Sequence, residues 1–381
     1  MEQLVLHTPI QEDDITRQIC NAFDYVPTKE SGICTTIYLP TIPEDYQIGL
    51  IVGSSGSGKS TILRELFGCA NKSFAWDNTK GIASNFNSFE EASERFGAVG
   101  LNSIPTWLKP YSVLSNGEKF RADLASVLED NAVIDEFTSV VNREVAISCC
   151  MSLKKYIQKK GLKRITFASC HDDIIPYLQP DWIWNTDAHE FYNGRYLHRP
   201  QINIEIRSCS VSAWDMFKQH HYLSSEINKS CQCYLATYQD SPVGFVAVIS
   251  FPNGNWKHGF RESRLVILPD YQGMGIGNLL SETIADAYHK AGCRYFSKTA
   301  NPRCGEHRDN SPLWRPTTHN HKQRLDYKHI YTTLIANTWA NNAKKHENRL
   351  CYAHEYVGDG LQYEYAYKCP SSQQLSLFEG D

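Results

Sequence analysis

Gly53-Ser54-Ser55-Gly56-Ser57-Gly58-Lys59-Ser60 follows the apolar run Gln47-Ile48-Gly49-Leu50-Ile51-Val52 and leads into Thr61 to Phe67, which has helical spacing. A strand that ends in a glycine loop and restarts as a helix gathers backbone amides around an oligophosphate. In this pattern Gly53, Gly56 and Gly58 let the backbone approach the phosphates, and Lys59 neutralises their charge. Ser60 offers a hydroxyl to magnesium, with Thr61 beside it at the helix start. A second glycine loop, Gln272-Gly273-Met274-Gly275-Ile276-Gly277, lies far downstream. One chain thus carries two pyrophosphate-gripping loops, the first suited to a nucleoside triphosphate and the second to an acyl-coenzyme A.

Around these loops the chain has 381 residues, more than one hydrophobic core usually organises, so two domains are expected. A net charge of -4 argues against a uniformly basic nucleic-acid-coating protein and leaves room for a local basic patch. No apolar stretch reaches membrane-spanning length, and Met1-Glu2-Gln3 does not open a signal peptide. A cytoplasmic protein with no membrane partner is expected. The 13 cysteines contain no Cys-x-x-Cys pair, which reads as reduced structural thiols without a zinc site.

Short β-branched runs alternate with helical stretches in the first half: Gln47 to Val52, Ala132-Val133-Ile134 and Arg164 to Ala168. That order predicts parallel strands with crossover helices. A boundary is expected near Arg199-Pro200, giving an ATP-binding domain over 1–199, a second domain over 200–368 and a tail over 369–381. In the second domain Ile202 to Ile206, Cys231 to Tyr238 and Val243 to Phe251 read as strands, the last two joined by a turn at Asp240-Ser241-Pro242.

Leu114-Ser115-Asn116-Gly117-Glu118, then Val133-Ile134-Asp135-Glu136, Val140-Val141-Asn142 and His171 follow the glycine loop in order. With the Walker A pattern at Gly53 to Ser60, this succession resembles the ABC-class ATPases. The resemblance implies that Ser60 and Asp135 hold magnesium, that Glu136 orients or deprotonates the attacking water, and that His171 contacts the terminal phosphate. It also implies a homodimer, with Ser115 and Gly117 of one subunit capping the ATP of the other. Asn116 replaces a usual glycine and Glu118 a usual glutamine, and no glutamine lies between Lys59 and Ser115. These departures point to a slow switch rather than fast turnover, and the missing membrane spans favour the nucleic-acid-associated branch over transporters.

Ser263 to Pro269, the loop Gln272 to Gly277 and the segment Asn278 to Ala291 form a strand, a tight turn and a helix with Leu279, Leu280, Ile284 and Ala287 at core spacing. This unit resembles motif A of GNAT-fold N-acyltransferases. The resemblance, over roughly residues 202 to 335, implies acetyl-CoA or another acyl-CoA held by Gln272, Gly273, Gly275 and Gly277, and an oxyanion-binding amide near Val266 or Ile267. Glu262 and His258 are candidate proton acceptors, and Tyr295 or Tyr288 candidate donors to the leaving thiolate. The fold class expected is α/β, a P-loop ABC-type ATPase domain followed by a mixed α/β GNAT acyltransferase domain.

Two features bear on the acceptor. Arg315 to Arg349 interleaves Arg315, Lys322, Arg324, Lys328, Lys344, Lys345 and Arg349 with Trp314, Tyr327, Tyr331 and Trp339, a composition suited to phosphate contact and base stacking. In the tail, Gln374, Leu375, Leu377 and Phe378 look like the pentapeptide that docks on the bacterial sliding clamp. The whole arrangement looks like the ABC-ATPase/GNAT fusions grouped with phage Mom-type DNA base-modifying acyltransferases, which makes DNA the leading acceptor. Two other readings stay open: an ATP-regulated protein or small-molecule N-acetyltransferase, and a non-catalytic clamp-associated DNA sensor.

Overall fold

The computed structural model describes residues 2–8, 12–26, 33–68, 74–194, 202–221, 226–252, 258–323 and 350–358. The chain divides into two compact units, Met1–Gln201 and Ile202–Asp381.

The first unit contains β1 (Glu2–Thr8), α1 (Asp14–Ala22), β2 (Ile33–Leu39), β3 (Ile48–Val52), α2 (Lys59–Phe67), α3 (Phe89–Ala98) and α4 (Ile104–Trp107). After these come α5 (Asn116–Val127), β4 (Val133–Ile134), α6 (Arg143–Lys160), β5 (Ile165–Ser169), α7 (Ile175–Leu178), β6 (Trp182–Asn185) and β7 (Glu190–Asn193). Strands β1 and β2 form an antiparallel pair. The main sheet runs β4-β5-β3-β6-β7, parallel except for β7. Both β3 and β5 are buried at every position, as strands covered on both faces must be, which is why they read as unbroken apolar runs. Ile48, Leu50 and Val52 join a core with Phe96 of α3, Leu124 of α5 and Leu153 of α6. Ile51 turns the other way, into a cluster with Ile37, Ile62, Trp182 and Trp184. The period of two along β3 therefore serves two cores at once.

The second unit contains β8 (Glu205–Cys209), β9 (Gln232–Tyr238), β10 (Ser241–Ser250), β11 (Gly259–Ile267), α8 (Ile276–Lys290), β12 (Arg294–Thr299), α9 (Pro302–Asn310), β13 (Trp314–Pro316), β14 (Lys322–Gln323) and β15 (Leu350–Tyr356). Its sheet runs β13-β15-β12-β11-β10-β9-β8, with β14 also paired to β15. Only the β11–β12 pairing is parallel within this sheet, among the described residues.

Three local expectations shift. The first strand of this unit starts at Glu205 rather than Ile202. The β9–β10 turn falls on Gln239 and Asp240, both with positive φ (48 and 63), so Ser241 and Pro242 belong to β10. The register slips between Pro242 and Gly244, where a residue without an amide hydrogen costs the ladder least. On α8 the core face is Ile276, Leu280, Ile284 and Tyr288, whereas Leu279 is 49% exposed. Four-residue steps from Ile276 set the helix phase, and Leu279 falls outside that stripe.

Helix α9 lies against β15 because Gly305 has no side chain: a Cβ there would come within 2.0 Å of the Tyr352 ring. Gly305→Ala is expected to push α9 off the strand and destabilise the second unit by about 1–3 kcal/mol, read as a lowered urea midpoint at constant slope.

Candidate active sites

In the first unit β3, β5, β4 and β6 run parallel, so the segments after their carboxyl ends emerge on one edge of the sheet. They bring together Gly53 to Ser60, Cys170 and His171, Asp135 and Glu136, and Thr186 and Asp187. A cavity of about 280 Å³ is lined by Ser55, Gly56, Gly58, Lys59, Ser60, Thr61, Glu136 and Cys170. Lys59 is buried to 8% exposure, and its Nζ donates to the carbonyls of Gly53 (2.8 Å) and Ser54 (2.6 Å). Gly58, with φ 88, is the N-cap of α2 and supplies no side-chain cap, leaving the first amides of the helix for a ligand. A Cβ on Gly58 would also meet Ile37 Cδ1 at 2.8 Å.

Glu136 is exposed and holds φ at 53, an uncommon conformation for a residue with a side chain and one that recurs at functional sites. Its amide donates to Asp135 Oδ1 at 2.9 Å. His171 is half-buried, and its amide donates to Ser169 Oγ at 3.0 Å. The donor set fits a magnesium triphosphate: an uncapped helix start, one ammonium, the Ser60 hydroxyl and two carboxylates.

Sequence reading missed Thr186 and Asp187. Thr186 Oγ1 lies 2.6 Å from Ser57 Oγ, and Asp187 accepts from the Ser54 amide and hydroxyl, each at 2.8 Å. They brace the loop from the end of β6, a strand away in space and distant in sequence, so no local pattern marks them.

Ser115 is the exposed N-cap of α5. Glu118 closes a capping box with it: the Ser115 amide donates to Glu118 Oε2 (2.9 Å), and the Glu118 amide donates to Ser115 Oγ (3.3 Å). Thr106 Oγ1 donates to the other Glu118 oxygen at 2.8 Å. Burial pushes the Glu118 carboxyl up, but the donors at Ser115 and Thr106 outweigh it and hold it below the usual range. The glutamate that departs from the family pattern thus fixes the loop carrying Ser115 and Gly117.

In the second unit, β11 and β12 are registered only from Gly259↔Arg294 to Arg261↔Phe296. Beyond that point β12 leaves β11, while β10 stays registered with it through Ile267. The edge of β11 carrying Val266 and Ile267 therefore opens toward the gap between the strands. A register slip opposite Ala247 and Val248 places Ser263 in a bulge where the strands part. Just past the bend, Gly273 and Gly275 have φ 95 and 92, and Gly275 caps α8 without a side chain, as Gly58 caps α2. Gln272 Nε2 donates to the Ile267 carbonyl at 2.8 Å, while its buried Oε1 has no partner. An uncapped helix start beside a spare buried acceptor fits a pyrophosphate followed by an amide-bearing arm.

The candidate acid and base fare differently from expectation. Glu262 is 7% exposed and pairs with Arg308, itself 2% exposed, at 3.1 Å. Ser281 Oγ donates to Glu262 Oε2 at 2.6 Å and Ser297 Oγ to Oε1 at 3.0 Å. Arg308 in turn donates to Ser297 Oγ (2.5 Å) and Ser281 Oγ (2.9 Å), with its guanidinium 4.7 Å from the Trp314 ring centre. A carboxylate committed to a cation and two hydroxyls is a poor proton acceptor; Glu262 ties β11 to β12, α8 and α9. Tyr295 is fully buried, its hydroxyl has no partner, and burial pushes its pKa well above the ordinary range. Tyr288 is equally enclosed, with its hydroxyl 3.0 Å from that of Tyr234. His258 is exposed.

Of the basic-aromatic segment, Trp314 lies in the core and Arg315 pairs with Glu355 at 2.8 Å. Arg324 to Arg349, and the tail with Gln374, Leu375, Leu377 and Phe378, lie outside the described residues. No helix among the described residues is long and apolar enough to cross a membrane.

Residues 200–307 match the model of the acetyltransferase (GNAT) family. The comparison with curated proteins gave no match. Among solved structures, the chain is similar to the ribosomal-protein-S18-alanine N-acetyltransferase of Escherichia coli, at 13% identity over 42% of this chain and 100% of that one, TM-score 0.29. It is also similar to a GNAT family acetyltransferase of Elizabethkingia anophelis with acetyl-CoA bound, at 18% identity over 41% and 96%, TM-score 0.28. A bacterial ABC transporter cassette of dimeric structure is similar at 18% identity over 42% and 93%, TM-score 0.33.

If Glu262 anchors the strands, Glu262→Ala leaves Arg308 buried without its partner. A loss of roughly 3–5 kcal/mol in the unfolding of the second unit is expected, whereas removing a solvent-facing base would leave the urea midpoint unmoved.

Proposed function

We propose that the first unit binds ATP with magnesium, and that the second transfers an acyl group from acyl-CoA to an amine, with DNA bases as the acceptors. The observation that carries the transferase reading is the uncapped Gly273-to-Gly277 turn at the start of α8, beside strands that separate after Arg261 and Phe296. The match of residues 200–307 to the acetyltransferase family supports it.

In the first unit, Lys59 and the amides of Gly56 to Ser60 hold the phosphates, while Ser60 and Asp135 ligate the magnesium, which supplies charge neutralisation when bound. Glu136 orients the attacking water, and His171 reaches the terminal phosphate. Ser115 and Gly117, presented by the capping box, close on the ATP of a second copy of the chain. In the second unit, Gln272, Gly273, Gly275 and Gly277 receive the pyrophosphate. An amide at Val266 or Ile267 donates to the acyl oxygen as it gains charge. A cytoplasmic location suits both substrates, and Gln374 to Phe378 would recruit the sliding clamp.

One observation favours a second reading, an ATP-regulated protein or small-molecule acetyltransferase: Trp314 and Arg315, counted toward a DNA surface, are engaged inside the second unit.

Three measurements check these assignments. Gly275→Glu places a bulky anion where the pyrophosphate would sit, and calorimetry is expected to show loss of acetyl-CoA binding; unchanged affinity would reduce the loop to an ordinary turn. Glu136→Gln is expected to trap an ATP-dependent dimer on gel filtration, and a monomer under those conditions removes the capping role of Ser115. Mass spectrometry of nucleosides from cells expressing the chain is expected to find a base carrying an added acyl mass. DNA without it, together with acetylated protein, would move the acceptor to the second reading.

A further inference from the structure

A second cluster of polar groups, separate from the Glu262–Arg308 pair, joins α9 to β15. Asp309 Oδ1 accepts from His354 Nε2 at 2.9 Å, and Asp309 Oδ2 from His321 Nε2 at 2.8 Å. Asn320 Nδ2 donates to Asp309 Oδ1 at 2.8 Å, and Asn320 Oδ1 accepts from the Ala353 amide at 2.8 Å. These donors hold the Asp309 carboxyl below its usual range against the burial that pushes it up. His354 is 1% exposed, and its Nδ1 is buried with no hydrogen-bond partner.

A carboxylate only accepts, so Nε2 carries the hydrogen and, in the neutral ring, Nδ1 carries a lone pair. A buried polar atom without a partner is uncommon and calls for a cause. The register supplies one. His354 stands directly across from Ser297, and Ser297 is the first residue of β12 beyond Phe296, where pairing with β11 ends. Residues opposite one another on antiparallel strands share a face of the sheet. The spare lone pair therefore stands one strand from the gap, on the face where Ser297 meets Arg308 of α9 and Ser281 of α8.

We propose that His354 is the proton acceptor of the acyl transfer and that Asp309 is its positioning residue, an inference that rests on the transferase reading above. The amine nitrogen attacks the acyl carbon, the C–N bond forms, and the amine proton moves to His354 Nδ1. Asp309 holds the Nε2 hydrogen and stabilises the imidazolium. As the C–S bond breaks, the proton on Nδ1 passes to the departing sulfur. An amide and a free thiol result, and no other reactant is needed.

The groups facing the imidazole are Asp309 and Arg308 from α9, His321 from the segment between β13 and β14, and Ser297 from β12; β13 contributes Pro316. Burial lowers the His354 pKa, Asp309 raises it, and Arg308 and His321 lower it, with a net fall below the ordinary value. The ring is neutral at pH 7, and the rate is expected to fall only as pH drops below the ordinary histidine range.

The test compares the full chain with His354→Gln, which keeps a donor toward Asp309 and lacks a base, and with Asp309→Asn. Thiol release from acetyl-CoA with plasmid DNA is followed across pH, acetyl-CoA affinity by calorimetry, and the His354 ring by nitrogen NMR. Expected for His354→Gln is a fall in turnover of about 100-fold or more, loss of the acidic limb, and acetyl-CoA affinity within about twofold of the parent, which also reports an intact fold. Asp309→Asn is expected to move the limb and lower turnover less. Parental turnover and pH profile in His354→Gln overturn the proposal, as does a ring protonated on Nδ1 at pH 7. If the parent chain releases no thiol but binds acetyl-CoA, the DNA acceptor fails, and the ring titration still decides the base. If it binds no acetyl-CoA, the transferase reading and this inference fall together.

Discussion

Two helices in this chain begin without a side-chain cap, and much of the molecule is arranged around that. Among the described helices of nine residues or more, α1, α3, α5, α6 and α9 have their first amides capped by Asp13, Ser88, Ser115, Asn142 and Asn301. Helices α2 and α8 instead begin at Gly58 and Gly275, both left-handed and neither able to cap. Leaving those amides open forgoes roughly 0.5–2 kcal/mol of capping at each helix start, and the N-terminal dipole adds its preference for an anion at the same point. The supporting structure keeps the open ends in place: Thr186 and Asp187 brace the first loop, and Gln272 ties the second to Ile267.

The second constraint is the buried Arg308–Glu262 pair. A cation and an anion this deeply enclosed are tolerated only with their remaining hydrogen-bonding capacity satisfied, and Ser281 and Ser297 do that. The pair joins β11, β12, α8 and α9 at the place where β11 and β12 stop pairing, so the gap between the strands is held open by a rigid polar junction. Gly305 lets α9 come close enough to β15 for Asp309, one residue after Arg308, to reach His354. One short helix thus contributes both polar clusters.

The two units treat their acidic groups differently. In the first, Asp135 and Glu136 follow directly on a buried strand and stand at the sheet edge, with Glu136 exposed in a left-handed conformation. In the second, Glu262 is drawn inside. Both are glutamates near a glycine loop in the sequence. Only their surroundings separate a group turned to solvent from one neutralised by a guanidinium.

The sequence by itself determined the parallel nucleotide-binding sheet, the two glycine loops and the strand-loop-helix unit of the second domain. Those features are encoded locally, by apolar runs, by glycines where φ is positive and by residues adjacent in the chain. It also placed Ser60, Asp135 and Glu136 at the ends of the right strands, because a residue following a buried strand has little choice of position. Tertiary structure decided the rest. Whether Glu262 is a base or a tie depended on Arg308, which comes from a later helix. Whether Trp314 and Arg315 belong to a surface or to the fold depended on their packing within the second unit. The His354–Asp309 contact joins residues far apart in sequence through a strand register that no local pattern reveals. Burial and partnership are properties of the assembled chain, and they fix which titratable groups remain free to exchange a proton.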